Sequence, residues 1–254
     1  AVIGYGKMGG KELGYASDLD MVYLFDDDAM DAEENYTRLG QRLNTWLSSQ
    51  TPAGILFETD LRLRPNGDSG LLAVSVDAFR DYELKNAWVW EHQALTRARF
   101  CAGDPAVGAR FEEIRIEILR QPRDLAKLKE EVVAMRRKML DAHALNSDSE
   151  FALKHDPGGI IDVEFIVQYL ILAYAHEHAR LTGNLGNIAL LRMAAELGLI
   201  DAGQAEAAGN AYREYRRLQH AKRLSSNPKT PIPREEVETH ISAVRALWEA
   251  VFSD

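Results

Sequence analysis

The chain has 254 residues, a formal net charge of −9 at pH 7, and a composition that is 46% hydrophobic and 27% charged, which allows one or two domains with a sizeable core. The acidic balance disfavours a surface that grips nucleic acid, because such binding neutralises phosphates with Lys and Arg. The apolar runs are far shorter than the roughly 20 residues that cross a bilayer, and the single cysteine, Cys101, is typical of a cytoplasmic protein without disulfides.

The first 25 residues predict a strand, a glycine-rich turn, a short helical stretch over 10–16 and a second strand. Because residue 1 already lies inside an apolar strand, we expect the chain to be a piece of a longer protein. A helix is expected from Asp31 to Gln50, where apolar residues recur at helical spacing. Alternation of apolar and polar residues predicts a strand from Ile55 to Leu63, and a turn then leads to a return strand from Leu71 to Val76.

From residue 77 onward the hydrophobic pattern is helical. Helices are predicted over residues 77–86, 88–100, 104–120, 123–144, 160–181, 187–197, 201–224 and 233–252. The predicted fold class is therefore α+β, with a small α/β domain over residues 1–103 and an all-helical domain over residues 104–254.

Acidic side chains mark the start of the second strand. Asp18 and Asp20 are two residues apart, so in a strand they project from the same face. Asp60 lies on the polar side of the next strand and supplies a third carboxylate if the two strands are neighbours. Carboxylates on rigid strands suit hard divalent cations that bridge to phosphates. The three aspartates therefore predict a nucleotidyl-transfer site that holds two Mg²⁺ ions.

The glycine-rich turn and nearby cations are candidates for binding the nucleotide. Backbone N–H groups of such a turn can cradle phosphate, because no side chain blocks a close approach. The residues predicted to bind the nucleotide are Gly6, Lys7, Gly9, Ser17, Arg62 and Arg64. Taken alone, the polar residues of the 55–63 strand favour the solvent-facing side of an antiparallel sheet over a binding site.

Two familiar phosphate-binding motifs fit this turn poorly. Residues 4–9 match the dinucleotide fingerprint G-x-G-x-x-G, but residues 10–16 leave no room for the crossover helix that the fold requires. A P-loop needs Ser or Thr after its lysine, where this chain has Glu12.

Four blocks, in order along the chain, resemble the signature of the glutamine synthetase adenylyltransferase family. They are residues 4–20, 60–65, 90–99 and 158–165. The resemblance implies a DNA-polymerase-β-like nucleotidyltransferase domain followed by a helical domain, with Asp18, Asp20 and Asp60 as the metal-binding triad. It also implies Mg²⁺-dependent transfer of AMP from ATP to a tyrosine of glutamine synthetase. PII signal protein and glutamine are the effectors that it implies for the full-length parent.

Family enzymes are bifunctional, so the resemblance leaves alternatives. One half adds AMP, and the other removes it by phosphorolysis, releasing ADP; both halves share the carboxylate pattern. The sequences of residues 4–7, 11–15 and 90–95 look more like the adenylylating C-terminal half. A binding module that keeps the fold without turnover is a third alternative, which the intact set of carboxylates disfavours.

The later blocks contain four possible cleft residues, Glu91, Arg97, Asp162 and Glu164. If the helix over 88–100 is continuous, the directions of Arg97 and Arg99 differ by about 200°, so at most one faces a given ligand. Surface ion pairing explains Glu91 and Arg97 equally well. Asp162 and Glu164 open an apolar helix, where the helix dipole alone favours acids.

Overall fold

The structure is a computed structural model that describes residues 1–15, 17–143, 145, 147–225 and 231–253. Ala16 and Ala144, which end two of the predicted helical stretches, lie outside the described residues. The chain forms two compact units, residues 1–121 and 122–254. The predicted mixture of helix and sheet is confirmed, whereas the division between units falls after Gln121 and not after Gly103. Within the described ranges, no helix is both long enough and apolar enough to cross a membrane.

The first unit is built on a five-stranded mixed sheet. Its elements are β1 (Val2–Gly4), α1 (Gly6–Gly9), β2 (Leu19–Phe25), α2 (Ala32–Ser48), β3 (Gln50–Thr51), β4 (Gly54–Ile55), β5 (Thr59–Asp60), β6 (Ala73–Ser75), α3 (Val76–Lys85), α4 (Val89–Leu95), β7 (Arg99–Ala102) and α5 (Pro105–Leu119). The strand order is β5–β2–β1–β7, and β6 pairs with β2 on the same edge as β5. β1 is antiparallel to β2 and β7, while β5 and β6 are parallel to β2.

β2 is the buried centre of this unit. Residues 21–25 are all buried, because both faces of the strand are covered. Val22 and Leu24 pack in a cluster with side chains of α3 and α5, while Tyr23 and Phe25 pack on the opposite face against α2. A strand covered on both faces reads as a continuous apolar run, and its burial gives the aspartates at its start a rigid support.

The prediction of one strand over 55–63 is wrong, because the segment is broken. Gly54, at φ +109°, turns the chain between β3 and β4, and the side chains of residues 55–57 are exposed instead of packed. Only β5 pairs with β2. Directly after it, the Asp60 carboxylate accepts a hydrogen bond from the Arg62 backbone N–H at 2.9 Å, which bends the chain away. β6 runs parallel to β2 and does not return along the preceding segment.

The predicted helix over 88–100 is also wrong in its second half. α4 ends at Leu95, and residues 99–102 form β7, which pairs with β1. Gly103, at φ +105°, then turns the chain into α5. α5 packs on α3 and β7, so this helix belongs to the first unit and not to the second.

In its described residues, the second unit consists of helices, their connections and one short antiparallel strand pair, which corrects the expectation of an all-helical domain. Its elements are α6 (Leu125–His143), β8 (Glu150–Phe151), α7 (Ile160–Tyr174), α8 (Asn187–Glu196), α9 (Ala202–Arg223), β9 (Ile232–Pro233) and α10 (Glu238–Phe252). α7 is buried on nearly all sides and contacts the other four helices. A helix that is apolar all round is typical of a domain centre.

Candidate active site

The three predicted carboxylates lie at the start of β2 and beside it. In the parallel pairing of β2 with β5, Asp20 lies directly opposite Asp60. Asp18 precedes β2, and Leu19 between the two aspartates is buried while Asp18 and Asp20 are partly exposed. The alternation follows from the strand geometry, since every second side chain shares a face. The sheet therefore brings Asp20 and Asp60 together and leaves Asp18 at the same end of β2.

Two of these carboxylates are paired with predicted nucleotide-binding cations. Lys7 Nζ lies 3.8 Å from Asp18 Oδ1. The Arg62 guanidinium donates from Nε to Asp60 Oδ1 at 3.0 Å, and these bonds hold the pKa of Asp60 below its usual value. Asp60 is therefore ionised at neutral pH. The Arg62 side chain is 71% exposed, so its pairing exchanges readily with solvent and ligands.

Gly6 touches the central carboxylate. Its backbone has φ +50°, and a Cβ at this position would lie 2.2 Å from Asp20 Oδ2. The neighbouring Tyr5 N–H donates to the Asp20 carbonyl at 2.9 Å. Residue 6 must therefore be glycine for two independent reasons, the positive φ and the close approach of the carboxylate.

The remaining predicted nucleotide ligands make internal contacts. The Gly9 N–H donates to the Tyr5 carbonyl at 2.7 Å, so this group holds the turn together. Ser17 Oγ accepts from the Gly14 N–H at 2.9 Å. Arg64, whose side chain is 12% exposed, donates to the carbonyl of Leu61 at 2.8 Å and stabilises the turn that follows. Of the predicted cations, Lys7 and Arg62 are thus the two that lie against the carboxylates.

The possible cleft residues make contacts within their own units. Glu91 is buried, and its carboxylate accepts from the Tyr82 hydroxyl and from the Trp88 N–H, both at 2.8 Å, so it caps α4. Asp162, in the second unit, forms a buried ion pair with Arg136. Glu164, also in the second unit, accepts from the Tyr212 hydroxyl at 3.4 Å.

Arg97 instead contacts the glycine-rich turn. Arg99 contacts the same turn, and the sequence did not predict this second contact. Arg97 Nη2 lies 2.7 Å from Glu12 Oε2, and Arg99 donates to the carbonyls of Met8 and Gly9. The one local signal that could have indicated the strand after Arg99 is Phe100, since aromatic residues are enriched in strands.

The donor chemistry at β2 fits a hard divalent cation. Carboxylate oxygens on two paired strands are the ligands that Mg²⁺ takes, and Asp60 is held ionised. Among the residues that the structure describes, no three His, Cys, Asp or Glu side chains are close enough to hold a metal as they stand. Because Lys7 and Arg62 pair with Asp18 and Asp60, these carboxylates must change partners to bind a metal.

Comparisons with known proteins cover both units. The family model described as glutamate-ammonia ligase adenylyltransferase matches residues 1–114, and the model described as GlnD PII-uridylyltransferase matches residues 126–232. The chain is 66% identical over 252 residues to the bifunctional glutamine synthetase adenylyltransferase/adenylyl-removing enzyme of Aromatoleum aromaticum. It is 59% identical to the protein of the same name from Nitrosomonas europaea and 56% identical to that from Bordetella bronchiseptica. These matches cover 99% to 100% of this chain but only 27% to 28% of each relative's length.

Proposed function

The chain belongs to the glutamine synthetase adenylyltransferase family, and we propose that its first unit is a DNA-polymerase-β-like nucleotidyltransferase domain that transfers AMP from ATP to a tyrosine hydroxyl of glutamine synthetase. The observation that carries this proposal is the register that sets Asp20 opposite Asp60. Asp18, two residues before Asp20, completes a set of three carboxylates. A rigid central strand with acids at its start is what such chemistry requires, because the protein's task is to position reactants and balance charge.

In this proposal Asp18, Asp20 and Asp60 hold Mg²⁺, two ions in all. When bound, the metal polarises the α-phosphate, lowers the pKa of the attacking hydroxyl and neutralises the departing pyrophosphate. The chain's own cations take the complementary role. Lys7 and Arg62 leave the carboxylates that they now pair with and bind oxygens of the triphosphate. Gly6 keeps the path to Asp20 open, because any larger residue would fill it.

The direction of the reaction and its regulation are further parts of the proposal. We propose the adenylylating direction because residues 4–7, 11–15 and 90–95 resemble that half of the family's enzymes. The same carboxylates would serve phosphorolysis of AMP-tyrosine with release of ADP. The partner proteins that follow are glutamine synthetase as substrate and PII signal protein as an effector, with glutamine, of the longer parent. The cytoplasm is the compartment that this proposal implies for the chain.

The test is transfer of label from ATP marked at the α-phosphate to unmodified glutamine synthetase in the presence of Mg²⁺. We expect the wild-type chain to label the synthetase and Asp18→Asn/Asp20→Asn to leave it at background. Asp81→Asn is the matched control, since Asp81 pairs with Lys85 on the surface of α3. Label that persists in the double variant would contradict the metal site. Release of ADP from AMP-tyrosyl synthetase and phosphate, without forward transfer, would support the de-adenylylating direction instead.

A further inference from the structure

Arg99 forms hydrogen bonds with the backbone of the glycine-rich turn. Its Nε donates to the Gly9 carbonyl at 3.1 Å and its Nη2 donates to the Met8 carbonyl at 3.2 Å. These carbonyls lie in the last turn of α1, where a helix leaves C=O groups without intrahelical partners. The Met8 carbonyl also accepts a long bond from the Lys11 N–H at 3.4 Å. The planar fork of a guanidinium reaches two neighbouring carbonyls at once, which a lysine ammonium on its single stem does less well.

Arg97, two residues before Arg99 in the chain, contacts the same turn. Its guanidinium pairs with Glu12 at 2.7 Å, and the two side chains are only 12% and 19% exposed. A Cβ on Gly10 would lie 2.6 Å from Arg97 Nη2, and a Cβ on Gly9 would lie 2.1 Å from the Arg97 carbonyl. The segment 97–99 therefore packs directly on the backbone of the turn, and the glycines make that contact possible.

The other end of the turn lies against the carboxylates. Gly4 of β1 pairs with Arg99 of β7. The start of the turn therefore lies beside Arg99, which also binds the carbonyls at its end. Gly6 then contacts the Asp20 carboxylate, and Lys7 reaches Asp18. A movement of the turn away from β7 would thus move both residues relative to the aspartates.

We propose that Arg97 and Arg99 are positioning residues that fix the turn over residues 6–12 for binding the triphosphate of the nucleotide. Arg99 acts through the two carbonyls, and Arg97 acts through Glu12. Neither side chain needs to touch the nucleotide. The consequence for the nucleotide rests on the proposed function, whereas the holding of the turn does not.

Cys101 reports on the turn independently of any activity. It is the only cysteine of the chain, and it follows Arg99 by two residues in β7, where the register between β1 and β7 shifts. A Cβ on Gly4 would lie 2.6 Å from its Sγ and 3.0 Å from Met8 Cγ, so the half-buried cysteine lies close to Met8 of the turn. A movement of the turn away from β7 therefore exposes the thiol, and the rate at which iodoacetamide alkylates it measures that movement.

The first test compares alkylation rates of the 254-residue chain and its variants. We expect Arg99→Ala to react about tenfold faster, because it loses two hydrogen bonds from a charged donor, and Arg99→Lys to fall in between. The matched control, Arg80→Ala, removes a surface pair with Glu117 in the same unit and should react at the wild-type rate. A wild-type rate in Arg99→Ala would overturn the proposal.

Single and double substitutions of Glu12 and Arg97 keep the test falsifiable if Arg99→Ala fails to fold. If the two side chains act as a pair, Glu12→Ala/Arg97→Ala reacts no faster than the faster single variant. Effects that multiply instead would show that Arg97 and Glu12 act separately and would overturn that part of the proposal.

Calorimetric titration with ATP and Mg²⁺ tests the link to the nucleotide. We expect the dissociation constant to rise about tenfold in Arg99→Ala and less in Arg99→Lys. Equal affinity in wild type and Arg99→Ala would overturn the positioning of the turn for triphosphate. If the wild type binds no ATP while alkylation still responds to Arg99, the proposed function fails and the holding of the turn stands.

Discussion

The buried pair of Arg136 and Asp162 offers a direct test of whether Asp162 serves structure or chemistry. Arg136 is 2% exposed, and its Nε donates to Asp162 Oδ1. The same guanidinium donates to the His155 carbonyl at 2.9 Å, and the Gly158 N–H donates to Asp162 Oδ2 at 2.5 Å. The carboxylate thus joins α6, the loop before α7 and the first turn of α7. The substitution Asp162→Asn removes its charge without changing its size.

The expected loss of stability follows from the burial of the arginine. Removing one partner of a buried ion pair leaves the other charge uncompensated, which typically costs 3–5 kcal/mol. Because asparagine keeps an oxygen that accepts one hydrogen bond, we expect the lower end, about 3 kcal/mol. With a urea dependence of about 2 kcal/mol per molar, the unfolding midpoint of the second unit should fall by about 1.5 M.

Urea unfolding at neutral pH, followed by far-ultraviolet circular dichroism, measures this shift. The matched control is Glu164→Gln, two residues along α7, whose bond with Tyr212 is long at 3.4 Å, and we expect it to change stability by less than about 1 kcal/mol. Replacing both partners with apolar residues, as Arg136→Met/Asp162→Leu, should restore much of the loss. A midpoint for Asp162→Asn that equals the control, combined with loss of AMP transfer, would refute the structural role.

Three further predictions concern the first unit. Gly6→Ala should reduce AMP transfer by about a hundredfold, because its Cβ displaces the Asp20 carboxylate. The control Gly198→Ala has a similar positive φ but open space around it, so urea unfolding should show only the cost of backbone strain, about 1–2 kcal/mol. Asp60→Asn should abolish transfer at every Mg²⁺ concentration while leaving circular dichroism unchanged; retained transfer would exclude Asp60 as a ligand. Burial raises the pKa of Glu83 to about 8, so the folded chain holds this proton more tightly than the unfolded chain and stability is lost as pH rises through that value. The stability of Glu83→Gln relative to wild type should therefore increase from about pH 4.5 to about pH 8 and stay level above it, and a constant difference across this range would contradict this pKa.

The central strand of the first unit was predictable because its signals are local, whereas the helical stretch predicted over 10–16 is wrong, because the helix α1 covers Gly6–Gly9 and residues 10–15 form no helix. A continuous apolar run after two spaced aspartates indicates a buried strand with acids at its entry, and β2 has this form. The segment over 55–63 carries an equally good strand pattern, yet it is broken. What breaks it is the Asp60 side chain, which takes the N–H of Arg62 that a longer strand would have used. Alternation of residue types does not reveal such a competition between a side chain and the sheet.

The end of α4 shows a second limit of local patterns. Residues 88–95 favour a helix, and nothing in the next few residues forbids its continuation. The switch to a strand follows from pairing with β1, which lies about a hundred residues earlier in the chain. The error had a consequence for the site: a helix sends Arg97 and Arg99 in different directions, whereas the turn and strand bring both onto the glycine-rich turn.

The pairing of the site's charges explains why the fold tolerates three acids at one end of its central strand. Like charges on neighbouring strands repel, and such pairs destabilise a sheet. Here Lys7 lies beside Asp18 and Arg62 beside Asp60, so the repulsion is offset before any ligand arrives. In the proposed function the same two cations meet the triphosphate, so metal and nucleotide together would supply what each pair gives up: the metal would replace the cations, and the phosphates would replace the carboxylates. The proposed function therefore predicts that metal and nucleotide bind cooperatively, since either one alone would leave half of the separated charges without a partner.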